Sequence, residues 1–294
     1  GLFKNEKIRN IPVFRVFELP YHSTRPILRI ANYISFMLSA PIGAIFSPKA
    51  DVIYVWHPPL TIGVAAWLIG KIKRVPFVYD VQDIWGSFTV LSGMVREGGA
   101  AIKLIRWLER FVAKRASHTI VQTAAGAEYF TERGVPAEKI SILPHWIDEA
   151  VFGRAKDDDR QAVRAEFGWG SRFIILFAGN IGIVQGLESV LEAARLLPND
   201  NAKIVFMGDG TDRPRLEAIA TSSMIGDRIE FIDRQPMERM PAMMASADAM
   251  LVSLKRSELA KFVVPSKTVA YLASGKPILM AAGGASEDLI REAK

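Results

Sequence analysis

Two doubly wound α/β domains with parallel sheets are what this sequence predicts, and three observations predict them. Short runs of β-branched and aromatic residues alternate with longer helix-patterned stretches along the whole chain. No tandem repeat with a period of about 20 to 50 residues is present, which removes solenoid architectures. The alternation falters once, between Asp148 and Ser171, where the chain turns polar and carries Asp157-Asp158-Asp159, and it restarts at Arg172 with a fresh β–α series. The expected organisation is an α/β domain over residues 1–150, an interdomain linker over 151–171 and a second α/β domain over 172–294.

In chain order, the first series contains expected strands at 52–56, 77–81, 119–123 and 140–143, each a short apolar run bounded by charged, proline or polar turn residues. Helices are expected at 61–73 and 100–116, where the apolar residues recur at three- and four-residue intervals. The second series has strands at 173–178, 203–207, 229–232, 249–253 and 277–280, with helices at 187–197, 213–221 and 264–274 between them. The last helix has clear punctuation: Pro265 sits at its opening and Gly275 at its end. Two uncharged stretches, Ile30 to Pro48 and Val52 to Gly70, tie at 19 residues. The first is interrupted by Asn32, Ser35, Ser39, Pro41 and Gly43, and the second by His57-Pro58-Pro59, so neither is expected to supply the roughly 20 apolar residues of a spanning helix. Residues 30–46 read instead as an in-plane or buried helix.

Composition narrows the chemistry. The 294 residues are 50% hydrophobic and 23% charged, which suits a chain with real cores and rules out a disordered or fibrous protein. With no cysteine, disulfides, thiolate zinc sites, thiol nucleophiles and iron–sulfur clusters are excluded. The four histidines, His22, His57, His118 and His145, show no metal-ligand spacing. Net charge is +6, but residues 1–115 hold 16 Lys and Arg against 7 Asp and Glu, a surplus of +9, which leaves the remainder at −3. A basic first half suggests an anionic partner such as a membrane surface, nucleic acid or phosphate. No signal peptide is recognisable, because Lys4, Glu6, Lys7 and Arg9 break the start. Opening on Gly1-Leu2-Phe3 and closing on a helix just under way at Glu287 to Lys294, the chain is expected to be a fragment at both ends.

Two glycine loops follow strands of the second series. The first runs Gly179-Asn180-Ile181-Gly182 and on through Gln185-Gly186-Leu187; the second is Gly208-Asp209-Gly210. A buried strand that runs into a glycine loop and then a helix offers backbone N–H groups to an anion at the carboxyl ends of a parallel sheet. Tight βα turns also use glycine for purely steric reasons, and that reading stands beside the first. The segment Pro265-Ser266-Lys267 places a hydroxyl, free amides and a cation at a helix N-terminus, which suits a diphosphate; the alternative is an exposed lysine on a well-capped helix.

These blocks carry a family resemblance. Ala178-Gly-Asn-Ile-Gly182 with Gln185-Gly186-Leu187, then Met207-Gly-Asp-Gly210, then Pro265-Ser-Lys267 and Ala273-Ser-Gly-Lys-Pro277 resemble the donor-binding half of the family-four retaining glycosyltransferases of the GT-B fold. In the first half, Asp51 to Pro59, Val75 to Val78 leading into Asp80-Val-Gln-Asp83-Ile-Trp85, and Leu143 to Asp148 are similar to the fucosamine-type transferases of bacterial surface-polysaccharide synthesis. The resemblance covers nearly the whole chain in the right order. It implies two Rossmann-like domains facing across a cleft, and transfer of a sugar, with retention, from a nucleotide-diphosphate sugar to a lipid-linked or saccharide acceptor. It also implies a cytoplasmic enzyme held peripherally at the inner face of the membrane. In such chemistry the leaving diphosphate gains charge as an oxocarbenium-like centre develops, so donors fixed at its oxygens stabilise the transition state more than the ground state.

The resemblance assigns donor binding to Gly179, Asn180, Gly182, Gln185, Gly208, Gly210, Ser266 and Lys267. It also marks departures: Ala270 and Phe262 stand where many relatives carry acidic residues, and Gln185 stands where a basic one is common. Asp83 and His57 are the catalytic candidates. Asp83, just past a strand, either polarises an acceptor hydroxyl or sugar charge, or caps the next turn. His57, at another strand end, positions a substrate, transfers a proton or fills a turn. The aspartate run 157–159 sits in a polar stretch rather than at a strand end, so no metal and no cofactor is expected.

On the expected helix 100–116, Lys103, Arg106, Arg110 and Lys114 share one face, with Ile102, Ile105, Trp107, Leu108 and Phe111 as apolar contacts, the pattern of a helix lying on anionic lipid. The same pattern also describes a buried apolar face with a solvated basic one. Nucleic acid fits the charge, but no helix-turn-helix, RNA-binding or zinc motif is present, so it is not an expected partner. Two other functions remain open: a sugar-nucleotide epimerase of the same fold, and a degenerate nucleotide-sugar-binding protein in which Ala270 and Phe262 mark lost activity.

Overall fold

The computed structural model describes residues 3–20, 26–152, 157–197, 201–223 and 225–293. The chain divides into two units, Gly1–Pro144 and His145–Lys294.

The first unit begins with a hairpin, β1 (Phe3–Ile8) and β2 (Ile11–Val16), that the sequence reading missed. Arg9 and Asn10 both take positive φ at its two-residue turn, as a tight right-twisted hairpin requires. Helix α1 (Pro26–Ile45) follows, then β3 (Ile53–His57), α2 (Leu60–Lys73), β4 (Phe77–Val81), α3 (Trp85–Leu91), α4 (Ala100–Arg115), β5 (His118–Val121), α5 (Ala124–Glu132) and β6 (Ile140–Ile142). The four later strands form one parallel sheet in the order β3-β4-β5-β6.

Helix α1 corrects an expectation. Residues 27–45 are one helix, long and apolar enough by length and composition to cross a membrane, and Pro41 lies inside it. The interrupting polar residues do not break it, because Ser35 and Asn32 exchange hydrogen bonds with the backbone of Leu19, and Ser39 bonds to the carbonyl of Phe17. One face of α1 packs on α2 and β2. The large exposed side chains on the other face are Ile27, Ile30, Ile34, Leu38, Ile42 and Ile45, all apolar.

The second unit comprises α6 (Glu149–Phe152), α7 (Asp157–Glu166), β7 (Phe173–Ala178), α8 (Glu188–Arg195), β8 (Ala202–Met207), α9 (Arg213–Ser222), β9 (Ile229–Ile232), α10 (Met240–Ser246), β10 (Ala249–Ser253), α11 (Ser266–Ser274), β11 (Ile278–Ala281) and α12 (Ala285–Ala293). Its parallel sheet runs β11-β10-β7-β8-β9. Successive residues of β7 enter opposite layers. Ile174 and Leu176 pack with Val163, Met243 and Tyr271, and Ile175 and Phe177 pack with Leu187, Leu191 and Leu216. Both faces of the sheet are therefore covered, which is why its strands read as unbroken apolar runs rather than alternating ones.

The expected linker at 151–171 is corrected. Helix α7 lies in it and packs on α10, with Val163 and Trp169 in the core of the second unit. The Arg164 guanidinium donates to the carbonyls of Ser246 (2.7 Å) and Gly170 (3.0 Å), and Arg160 pairs with Asp248 at 2.8 Å. The segment is polar overall because, among its described residues, α7 sends only Val163 into the core, while Ala162 and Ala165 are exposed among its charged residues. Asp159 is exposed; the side chains of Asp157 and Asp158 lie outside the described residues.

Candidate functional site

The order of the second sheet reverses direction at β7, which has β8 on one side and β10 on the other, and ligands of open α/β sheets bind beyond the strand ends at such a switch point. The sequence-expected donor residues Gly179, Asn180, Gly182 and Gln185 follow β7 there. The loop after β10 is tied to them: Ser253 Oγ donates to the Gln185 carbonyl at 2.7 Å, and the Lys255 N–H to the Val184 carbonyl at 2.9 Å.

Helix α11 starts at Ser266, with Pro265 just outside as its N-cap, and delivers Lys267 to this point. The Lys267 Nζ donates to Gln185 Oε1 at 2.7 Å and sits 3.7 Å from the centre of the Phe177 ring. A Cβ on Gly179, whose φ is +143°, would lie 3.3 Å from that ammonium, so the glycine lets the cation approach the loop backbone. Burial pushes the Lys267 pKa down from its ordinary 10.5 to about 7. The sequence reading missed the clamp that holds α11 in place. One turn beyond Lys267, the buried Tyr271 hydroxyl accepts the Ala178 N–H (2.8 Å) and donates to the Ala178 carbonyl (3.1 Å). A tyrosine four residues after the lysine was the available signal. Ala270 packs against the apolar cluster beside Tyr271.

The reading of these glycines as open amide donors is corrected for three of them. The N–H of Gly179 donates to the Met207 carbonyl, that of Gly208 to the Ile232 carbonyl, and that of Gly210 to Asp209 Oδ1. Gly208 and Gly210 serve sterics: a Cβ at either would lie 2.0 Å from the Gly179 oxygen or 2.2 Å from the Ile181 oxygen. The two loops meet backbone to backbone.

In the first unit, His57 is fully buried at the end of β3, edge-on to Tyr79 and Trp85 at centroid distances of 5.5 and 6.3 Å. Neither ring nitrogen has a hydrogen-bond partner among the described residues. Burial alone lowers its pKa from 6.5 to about 3, so the imidazole is neutral. The catalytic assignment of His57 is corrected on this ground: the ring is enclosed within the first unit and reaches no solvent.

Asp83 follows β4 and is half-buried, which raises its carboxyl above the ordinary value of 3.8. It does not cap α3. The Gly86 amide in the first turn of that helix is bound by Glu109 from α4, its N–H 2.9 Å from Oε1. Beside it Asp80 accepts hydrogen bonds from the Tyr54 hydroxyl and from Gln82 Nε2. Burial and that carboxylate push the Tyr54 pKa up to about 12.

Two Rossmann-like units, the second with a lysine and a glycine loop at its switch point, are the components of the GT-B fold. A family profile described as glycosyl transferase 4-like domain matches residues 6–146, and one described as glycosyl transferases group 1 matches residues 159–294. Each unit is thus similar to glycosyltransferases over nearly its whole length. The chain is 29% identical over 252 residues to the Escherichia coli protein assigned as the colanic acid biosynthesis glycosyl transferase WcaI, covering 84% of this chain and 61% of that one. It is 25% identical over 213 residues to the alpha-D-kanosaminyltransferase of Streptomyces kanamyceticus, covering 69% and 53%. The chain thus spans less than two thirds of the length of these relatives. Among solved structures, the Anabaena protein HepE in complex with UDP and glucose superimposes with a TM-score of 0.69 at 20% identity, over 86% of this chain and 65% of that one. The sucrose-phosphate synthase of Thermosynechococcus elongatus gives 0.71 at 16% identity, over 97% and 68%.

Proposed function

We propose that this chain carries the donor and acceptor units of a retaining glycosyltransferase of cell-surface polysaccharide synthesis. It moves a hexosyl-type sugar from a nucleotide-diphosphate sugar to a lipid-linked or saccharide acceptor. The observation that carries this reading is Lys267, held by Gln185 and Phe177 against the Gly179 loop at the switch point of the second sheet. A diphosphate there takes over the ammonium from Gln185 and gains further donors from Ser266 and Asn180. As the glycosidic bond breaks, charge builds on that diphosphate and the lysine contact strengthens. Asp83 is the acceptor-side carboxylate. The reading is supported by the Escherichia coli relative assigned to colanic acid synthesis and by the UDP complexes of HepE. No metal or other cofactor has a part in it, so transfer should survive chelation.

The acceptor is at a membrane in this reading. Lys103, Leu104, Arg106, Trp107 and Arg110 are exposed on α4, Trp107 by 55%, and this mixed basic and aromatic face suits the cytoplasmic surface of anionic lipid. The test is incubation of the full-length protein with nucleotide sugars and a lipid-linked acceptor, with NMR assignment of the anomeric configuration of the product. Retention supports the reading. An inverted product or an epimerised donor refutes it, and nucleotide binding without turnover points to a degenerate binding protein.

A further inference from the structure

Glu109 is a carboxylate only 2% exposed, with no part in the donor site, on an otherwise basic helix. Its Oε1 accepts the Gly86 N–H at 2.9 Å, and its Oε2 accepts the Tyr129 hydroxyl at 3.1 Å. Tyr129 is fixed in turn by Arg133, whose guanidinium lies 3.5 Å over the ring and donates to the Tyr129 carbonyl at 2.8 Å. Burying a charge is costly unless hydrogen bonds compensate it, and here those bonds come from the start of α3 and from α5. Gly86 gives this contact room, since a Cβ there would lie 3.1 Å from the carboxylate and 3.2 Å from Arg106 Cγ, and those side chains would have to shift by a few tenths of an ångström.

The other end of the same loop is held independently. The Gln82 N–H donates to the His57 carbonyl at 3.1 Å, and Gln122 Nε2 donates to the Gln82 carbonyl at 2.8 Å and to its Oε1 at 2.9 Å. Ile84 and Trp85 are buried. Asp83 is therefore a half-buried carboxylate on a loop clamped one residue before it, at Gln82, and three residues after it, at Gly86. We infer that Glu109 is a positioning residue: by binding the Gly86 amide in the first turn of α3 it holds the Asp83 loop in the geometry that aims the Asp83 carboxylate at the acceptor. This rests on the reading of Asp83 as the acceptor-side carboxylate. It assigns Glu109 no contact with substrate.

The test reads the full chain without substrate. In Glu109→Leu the NMR titration of the Asp83 carboxyl should fall back towards its ordinary 3.8, and the Gly86 amide should exchange at least tenfold faster. The amides of β4 and β5 should keep their protection. Glu109→Gln retains one oxygen for Gly86 and should restore both readouts to within about threefold of the wild type. If the leucine variant does not fold, Tyr129→Phe takes its place, with Gly86 exchange expected to rise at least threefold. An unchanged Asp83 titration in folded Glu109→Leu, unchanged Gly86 exchange in Tyr129→Phe, or loss of β4 and β5 protection in step with Gly86 would overturn the inference. Because neither readout needs turnover, absence of glycosyl transfer would count against the proposed function and leave this result standing. Where transfer is measured, kcat should drop at least tenfold in the leucine variant with the donor KM unchanged.

Discussion

Raising the pH should weaken nucleotide-diphosphate binding, and the cause is Lys267. Its ammonium is set among Phe177, Gly179 and Gln185, and burial brings its pKa down to about 7. A bound diphosphate supplies the opposite charge that the empty site lacks, so the bound lysine stays protonated well above that pH. Binding above pH 7 must then take up a proton. Each pH unit costs about 1.4 kcal/mol, so affinity should fall roughly 20- to 30-fold between pH 7.5 and 9, a window in which the diphosphate no longer titrates. Titration calorimetry of UDP at pH 8.5, in two buffers of different ionisation enthalpy, should report uptake of close to one proton. Lys267→Arg stays charged and should remove the pH dependence. In the ligand-free protein the sign is opposite. Between about 7 and the ordinary 10.5 the folded state binds fewer protons than the unfolded one, so this group makes stability rise with pH across that window. No proton uptake, together with an affinity flat from pH 7.5 to 9, would refute the reasoning.

Other outcomes follow from the same geometry. Gly208→Ala should lower the melting temperature by several degrees or prevent folding, because its Cβ would fall 2.0 Å from the Gly179 oxygen; Gly226→Ala, with nothing within 4 Å, is the matched control. His57 binds fewer protons folded than unfolded between about 3 and 6.5, so it destabilises the protein as pH falls below 6.5. His57→Leu should be more acid-stable than the wild type in urea melts at pH 5, and a variant that loses stability equally at pH 5 and pH 8 contradicts this. Charge reversal at Lys103 and Arg110 should weaken binding to vesicles containing anionic lipid at low salt, and wild-type binding should decline as salt is raised. Equal binding to neutral vesicles would remove the electrostatic part.

Much of the fold was legible because burial on both sheet faces writes itself as continuous apolar runs. The strands Phe77–Val81, Phe173–Ala178, Ile229–Ile232 and Ala249–Ser253 lie where periodicity puts them, and helices α4 and α9 are within a residue of expectation. The β1–β2 hairpin escaped notice because its residues are largely exposed and its alternation is spoiled by Lys4, Glu6 and Lys7. Helix α7 was hidden by its own polarity, since so few of its residues reach the core. At the candidate site, Lys267 was legible from helix punctuation, whereas its contact with Gln185 and the Tyr271 clamp depend on how the sheet strands are ordered. His57 and Glu109 show the limit most clearly. A histidine at a strand end and a glutamate on a basic helix look like surface groups until tertiary packing encloses them.

A nucleotide diphosphate that binds at the switch point of the second sheet must do so through Lys267. Calorimetric titration of UDP, GDP and ADP into the wild type and Lys267→Ala at pH 7 measures this directly. At least one nucleotide should bind the wild type and bind the alanine variant roughly ten- to a hundredfold more weakly, the loss expected for one charge-assisted hydrogen bond. Equal affinity in the two proteins, or no binding of any of the three to a folded wild type, would contradict it.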